Sequence, residues 1–576
     1  MPPRSKAPSI FSILKPYQTM IIWLIILAVL ANGLTLFLPK LISIVIDSYI
    51  KEILNLNTLI IEFGSITLGI LLFTYLQSIL QTYASEKVGR DIRSQLVSKI
   101  SRQSYKFIED KNPAKLLTNI TSDIDSIKMF VAQAIVSMVS SAVIIIGAVI
   151  ILLTIDWRLA LSVITIIPVI GITFFVILRM VRKLFIQSRE VVDWLNKVIS
   201  ESIIGAALIR VLHSENLEEN KFTVANAKAR DTGISILKLF SFMIPIITFV
   251  SSIGSLIVVS LGGYYVINGS MSLGSFAAFA NYITILIFPI LVIGFISNII
   301  AQASASYGRI YEVLQSPDEK DSGTIEASLT GKIEIKNVTL LYGEKPALKD
   351  VSIAILPGTK TAIIGPTAAG KTQLLNVVAG LTSPQSGSVE YDEHKISEYD
   401  HASFYPQIGL VFQDSVLFNT TLRENIAFST TVTNESLEKA IETAELSDFI
   451  NTLPKGLDSV VSERGTSLSG GQKQRLMLAR ALALNPKILF LDDFTARVDT
   501  HTEKKILANV EKNYPGLTLV SITQKIAPIE NYDRIILIME GEVLAQGTHT
   551  ELMNTSPEYV QIYESQKSTE NYELRT

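Results

Sequence analysis

Six apolar stretches occupy most of the first half of the chain, and each is long enough to cross a bilayer as a helix. They run Met20–Leu38, Leu59–Leu80, Phe130–Ile155, Leu159–Met180, Phe240–Ile267 and Phe276–Ile300. A spanning helix needs about 20 consecutive apolar residues. Val, Ile and Leu dominate these runs, a composition that also suits strands, but their length excludes strands. Buried helices of a soluble core are the competing reading, and six such runs so close together argue against it. The chain has 576 residues, enough for several domains at about 150 residues each. Hydrophobic residues make up 48%, and beyond the sixth run the balance becomes that of an ordinary soluble protein.

Net charge is −3, which gives no electrostatic basis for binding nucleic acid. The chain has no cysteine, which excludes disulfides, thiol catalysis and thiolate metal sites. The opening residues MPPRSKAPSIFSILKPYQ are basic and precede a long apolar run. That run exceeds a typical signal-peptide core, and no small-residue cleavage site follows it, so a retained span is expected.

Connections between the runs alternate in length. Ile50–Asn57, Asp156–Trp157–Arg158 and Asn268–Gly274 are short, whereas Ser85–Lys128 and Val181–Lys238 are long and rich in Lys and Arg. Basic connections stay on the cytoplasmic side, which places both termini there too. The long connections keep helical periodicity, so the spans are expected to continue well beyond the bilayer, with Glu86–Gln95 as a solvated face. Asn32, Gln77, Gln133, Asn281 and Asn298 lie within the runs. Interhelical hydrogen bonds are the expected role, with the lining of a cavity for amphipathic compounds as the alternative. Pro168, Pro245 and Pro289 are expected to kink their helices. Asp47, near the outer end of the first run, is either an interfacial carboxylate or part of an outer gate.

Ser316–Thr330 is polar and rich in turn formers. It marks a linker at residues 316–330 between a membrane domain (1–315) and a second domain (331–576). Lys332–Leu341 alternates as a strand. Thr361–Ile364 is a short apolar strand feeding Gly365-Pro366-Thr367-Ala368-Ala369-Gly370-Lys371-Thr372, and a helix is expected over Gln373–Ala379. Strand, glycine-rich loop ending in Lys-Thr, then helix is the context of a phosphate-binding loop. Its N–H groups cradle phosphates, Lys371 reaches the β- and γ-phosphates, and Thr372 offers a hydroxyl to Mg²⁺. Gln373, opening the helix, joins the nucleotide-binding set. Ala368 and Ala369 add Cβ atoms that restrict the loop slightly while leaving every ligand in place. Lys487–Asp492 reads as a buried strand ending in an acid that holds Mg²⁺. ATP and Mg²⁺ are therefore the expected ligands.

With Leu468-Ser469-Gly470-Gly471-Gln472 added, the chain resembles one half of an ATP-binding-cassette exporter over nearly its whole length. The resemblance implies a six-helix membrane domain followed by an α/β P-loop cassette. It implies adenine stacking on Tyr342, Mg²⁺ contact and signalling to the membrane domain by Gln413, and a coupling loop at Glu463-Arg464-Gly465. Asp499 matches the aspartate that ends the D-loop. In such exporters two cassettes dimerise head to tail, so Ser469, Gly470, Gly471 and Gln472 contact ATP held by the partner. Phe107–Leu117 and Val211–Phe222 correspond to coupling segments, the second docking on the opposite cassette.

Three positions depart from the family's pattern. Asp493 stands where a catalytic Glu is usual, Gln524 where a His is usual, and Arg497 where the D-loop has Ala. Asp493 is one methylene short, a retreat of roughly 1–1.5 Å. Catalytic hydrogen bonds lie within about 2.6–3.2 Å, and such a misplacement costs on the order of 100-fold. Gln524 offers a hydrogen bond but carries neither proton nor charge as imidazole does. With the family's signature, Leu468–Gln472, intact, this pattern resembles the degenerate half of heterodimeric bacterial multidrug exporters. The expectation is a subunit in a bacterial plasma membrane with its cassette cytoplasmic, paired with a second half-transporter and exporting drugs, lipids, peptides or other amphipathic compounds. A homodimeric exporter with slow hydrolysis by Asp493 and an ATP-gated regulatory membrane protein are the alternatives.

Overall fold

The computed structural model describes residues 9–318, 323–342, 345–414, 416–462, 465 and 468–573. They form two compact units. The first runs through Arg102 and resumes over Lys111–Pro317; the second takes Gln103–Asp110 and continues from Asp318.

The first unit is helical throughout. Its long helices are Gln18–Ile50, Leu56–Ile100, Ile135–Ile155, Ile166–Ile204, Glu215–Ile257 and Leu273–Leu314. The Leu56–Ile100 helix has 45 residues. A helix of that length is over twice as long as a hydrocarbon core is thick, so it extends past the bilayer as expected. Among the described residues five segments have the length and apolarity to cross a membrane: Ile10–Ile50, Leu56–Ile100, Pro113–Ile155, Thr248–Ile267 and Leu273–Leu314. The Phe240–Ile267 run enters this set only from Thr248. The Leu159–Met180 run does not enter it. It falls on the helices Trp157–Ile164 and Ile166–Ile204, where the side chains of 166, 167, 170, 174 and 178 lie outside the described residues. Thr165 separates these two helices, because Pro168 has no N–H to give the carbonyl of Ile164. Pro245 and Pro289, by contrast, lie inside unbroken helices.

Asn32 makes an interhelical bond: its Nδ2 donates to Ala28 O at 2.7 Å and to Ser140 Oγ at 2.9 Å on a neighbouring helix. Asn281 instead bonds its own helix at Ala277 O. Asp47 accepts from Ser272 Oγ (2.7 Å) and Gly274 N (2.9 Å), joining the end of the first helix to the start of the last. Gly274 is obligatory there, since a Cβ would lie 2.1 Å from Ser43 O. Asp123 lies in a π-helical segment, Asn119–Asp123, and is buried against Leu273–Leu314. Arg309 Nε and Nη2 donate to its two carboxylate oxygens at 2.9 and 2.5 Å, and Ser306 Oγ donates at 2.9 Å.

The second unit is α/β. An antiparallel sheet has the order β2-β1-β4-β5, with β1 Ile333–Tyr342, β2 Lys345–Ile355, β4 Ser386–Tyr391 and β5 His394–Lys395. The remaining strands are β3 Lys360–Ile364, β6 Ile408–Val411, β7 Ile488–Asp492, β8 Thr518–Thr523, β9 Arg534–Met539 and β10 Glu542–Gly547. They form a larger sheet in the order β10-β9-β3-β8-β7-β6. β3, β6, β7, β8 and β9 are parallel. Parallel strands are covered on both faces, which explains why β7 and β8 are buried at every residue. Alternate residues supply two separate cores. Ile364, Leu489, Leu491 and Leu537 point into one, and Ile363, Phe490, Ile522 and Ile536 into the other.

Candidate functional site

In open parallel sheets ligands bind beyond the carboxyl ends of the strands. Four adjacent strands deliver the sequence-derived residues to that edge. β3 runs into Gly365–Thr372, β8 into Gln524, β7 into Asp492 and Asp493, and β6 into Gln413. The helix Lys371–Val378 starts within the phosphate loop.

The loop's curvature rests on three residues with positive φ: Gly365 (158°), Ala368 (66°) and Gly370 (98°). A Cβ at Gly365 would lie 2.1 Å from Ile538 O, and one at Gly370 2.6 Å from Ala347 O, so both positions require glycine. Ala368 bears the left-handed conformation with its Cβ in place, a strain greater than the slight restriction expected. Lys371 Nζ lies at the centre, donating to Gly365 O at 2.8 Å and Pro366 O at 2.9 Å. Burial holds its ammonium below the ordinary lysine range, against the charges of Asp493 and Asp492, which raise it.

Asp492 is buried, which together with the charge of Asp493 pushes its carboxyl up to about 6. A hydrogen bond from Thr372 and the charge of Lys371 act in the opposite direction. A hydroxyl bonded to a buried carboxylate fits Mg²⁺, which takes one or two protein oxygens and completes its shell from phosphates and water. Among the described residues no group of three His, Cys, Asp or Glu forms a metal cluster.

Asp493 is left-handed (φ 46°, ψ 35°), and its N–H donates to Ile522 O at 2.8 Å. Asp tolerates this region better than most residues with a Cβ. Gln524 follows β8 directly and its side chain is exposed. Gln413 is exposed, and its carbonyl accepts from Gln474 Nε2 at 3.1 Å.

Ser469 caps the helix Gly470–Leu482. Its Oγ accepts from Gln472 N at 3.2 Å and its N–H donates to Gln472 Oε1 at 2.8 Å. The two bonds make a reciprocal capping box. Ser469 is exposed and Gly470 to Gln472 are half-buried, and a helix start of this kind offers backbone N–H groups to an anion. Arg497 lies along this helix start in its own chain: a Cβ on Gly470 would sit 3.2 Å from Arg497 Cδ, and one on Gly471 2.9 Å from Arg497 O. Asp499 Oδ1 accepts from Thr502 N at 2.9 Å and so caps the Thr500–Asn513 helix. Tyr342 ends β1, but its side chain lies outside the described residues, as do Glu463 and Arg464.

Two contributors were missed from sequence. Gln474, buried within the signature helix, ties Gln413 to that helix. Gln566 meets the backbone on either side of Lys525. Both act on backbone groups 40 or more residues away, and no local spacing announces such a contact.

Comparison with known proteins matches residues 21–290 to the ABC transporter transmembrane region and residues 348–496 to the ABC transporter family. The chain is 32% identical over 572 residues to an uncharacterized ABC transporter ATP-binding protein, YfiB, of Bacillus subtilis, covering 98% of this chain and 99% of that protein. It is 30% identical over 500 residues to the ATP-dependent lipid A-core flippase of Syntrophus aciditrophicus, covering 86% and 83%. A putative multidrug export ATP-binding/permease protein of Staphylococcus aureus is 29% identical over 567 residues, covering 96% and 98%. Among solved structures, a bacterial Atm1-family ABC exporter with ATP bound shares the fold, with a TM-score of 0.78 over 95% of this chain and 98% of that one at 21% identity.

Proposed function

Since the chain belongs to the ABC transporter family and joins a membrane region to an ABC-type ATPase in one polypeptide, we propose that it is one half of a heterodimeric exporter with a slow or silent ATP site of its own. Lys371 and the loop amides hold the phosphates. Thr372, Asp492 and Gln413 hold Mg²⁺, which neutralises phosphate charge when bound. Asp493 and Gln524 occupy the positions beside the γ-phosphate. The short carboxylate leaves the attacking water poorly oriented, and the neutral amide adds a hydrogen bond without a proton relay.

One observation carries this reading. Both departures lie at the ends of the adjacent strands β7 and β8, while Ser469–Gln472 keeps an intact, partly exposed helix start. Chemistry is impaired on one side of the cassette and anion binding preserved on the other. Ser469 then completes the partner's site, and ATP in this chain's own site biases the balance of inward and outward states. The partner supplies the Glu, the His and a degraded signature. Ile204, Leu208, Val211 and Leu212 are exposed at the tip between two long helices, which supports docking of Val211–Phe222 on the opposite cassette. The apolar spans, and relatives named for lipid flipping and multidrug export, support amphipathic cargo crossing a bacterial plasma membrane with the cassette cytoplasmic.

The test is ATP hydrolysis by the purified chain alone beside the chain co-purified with a candidate partner half. Negligible turnover alone and robust turnover in the pair, lost on Ser469→Ala, is the expected result. Robust turnover alone, abolished by Asp493→Asn, replaces this reading with a slow homodimer.

A further inference from the structure

The switch loop, the segment after β8 that carries Gln524, is clamped by a side chain from the last helix, Pro557–Glu573. Gln566 Nε2 donates to the carbonyl of Gln524 at 2.7 Å, and Gln566 Oε1 accepts from the N–H of Ile526 at 2.9 Å. One amide therefore closes on the backbone on both sides of Lys525. Lys525 N–H itself donates to Thr523 Oγ1 at 3.1 Å, fixing the loop from within. The helix carrying Gln566 is well anchored. Tyr559 is fully buried and its hydroxyl meets His549 Nδ1 at 2.8 Å. Ile562 and Tyr563 pack on the same core that holds Ile526 and Ile529.

We infer that Gln566 is a positioning residue that sets the Gln524 side chain against the terminal phosphate and thereby lets this chain's own site distinguish ATP from ADP. The inference rests on the reading above that Gln524 faces the γ-phosphate. A neutral amide attracts phosphate more weakly than a charged imidazole, because charge-assisted hydrogen bonds are the strong ones. A weak contact survives only if little conformational freedom is lost in making it. The clamp removes that freedom before nucleotide arrives, leaving the Gln524 side chain exposed and its backbone fixed.

The experiment uses the full-length chain with Mg²⁺, measuring equilibrium affinities for ATP and ADP by competition against a fluorescent nucleotide. Gln566→Ala is expected to weaken ATP about threefold to tenfold, the scale of one lost hydrogen bond, with ADP affinity unchanged. Gln566→Glu keeps an acceptor for Ile526, sets a carboxylate against the Gln524 carbonyl and should behave alike. Gln524→Ala should produce the same loss, and the double variant no more. Equal weakening of ATP and ADP by both Gln566 variants, or no change, overturns the inference. A collapse of the ATP preference in Gln524→Ala but not in the Gln566 variants overturns it while leaving the switch reading intact. An unchanged preference in Gln524→Ala overturns both.

Discussion

Removing Arg309 should destabilise the membrane unit chiefly by stranding a charge, and the geometry sets the size. The Asp123 side chain is 4% exposed, whereas that of Arg309 is 54% exposed. Arg309→Ala therefore costs little in its own burial but leaves a buried carboxylate that keeps, among the described residues, the Ser306 Oγ donor. Breaking a fully buried pair costs about 3–5 kcal/mol. Solvent access to the guanidinium discounts this to about 2 kcal/mol. At roughly 1.5 °C per kcal/mol for a unit of about 300 residues, the melting temperature in detergent should fall by about 3 °C. Asp123→Asn in the same background removes the stranded charge while keeping the shape, and should recover at least half of the loss. An Arg309→Ala variant that melts with the parent refutes the reasoning. So does an Asp123→Asn, Arg309→Ala double variant that melts no higher than Arg309→Ala alone, because the cost then arises from lost packing.

Further outcomes are expected elsewhere. If the proposed slow site is right, Asp493→Glu with Gln524→His should raise hydrolysis there by about 100-fold or more, measured as phosphate release, whereas a flat result refutes the part those two residues play in the proposal. Glu503 is buried with Oε1 unpartnered, and burial pushes its carboxyl up to about 7 against the pull of Lys525 and Lys504. The folded state then holds a proton that the unfolded state releases near pH 4.5. Stability therefore falls as pH rises from about 4.5 to about 7 and stays lower above. Glu503→Gln should flatten that part of the melting-temperature profile, and a parallel profile would refute the assignment. Asp47→Ala removes the two bonds from the end of the first membrane helix to Ser272 and Gly274 at the start of the last, and should reduce transport in vesicles without altering ATP binding.

The parts of the site legible in the sequence were those encoded by contiguous residues. The glycine loop, the acid ending β7, the glutamine after β6 and the signature each announce themselves within eight residues, because backbone geometry and side-chain chemistry are set locally there. β3 and β7 begin within one residue of the expected strands for the same reason. Arg497 was legible as an anomaly, yet its place was not: its stem lies on Gly470 and Gly471 of its own chain, a contact dictated by packing. Asp123 with Arg309 and Gln566 with Gln524 were invisible, since the residues of each pair are 186 and 42 positions apart. The Leu159–Met180 run shows the opposite case, in which apolar composition was plain but Pro168 divides the helix.

The strand ends carry one more consequence. Asp493 and Gln524 follow the last residues of β7 and β8 and belong to neither of the two cores that seal those strands. Chemistry and folding are therefore written in separate letters of the sequence. A substitution at Asp493 or Gln524 leaves the side chains that pack the sheet untouched. Activity at the strand ends can thus change while the packing between the sheet and its helices stays the same.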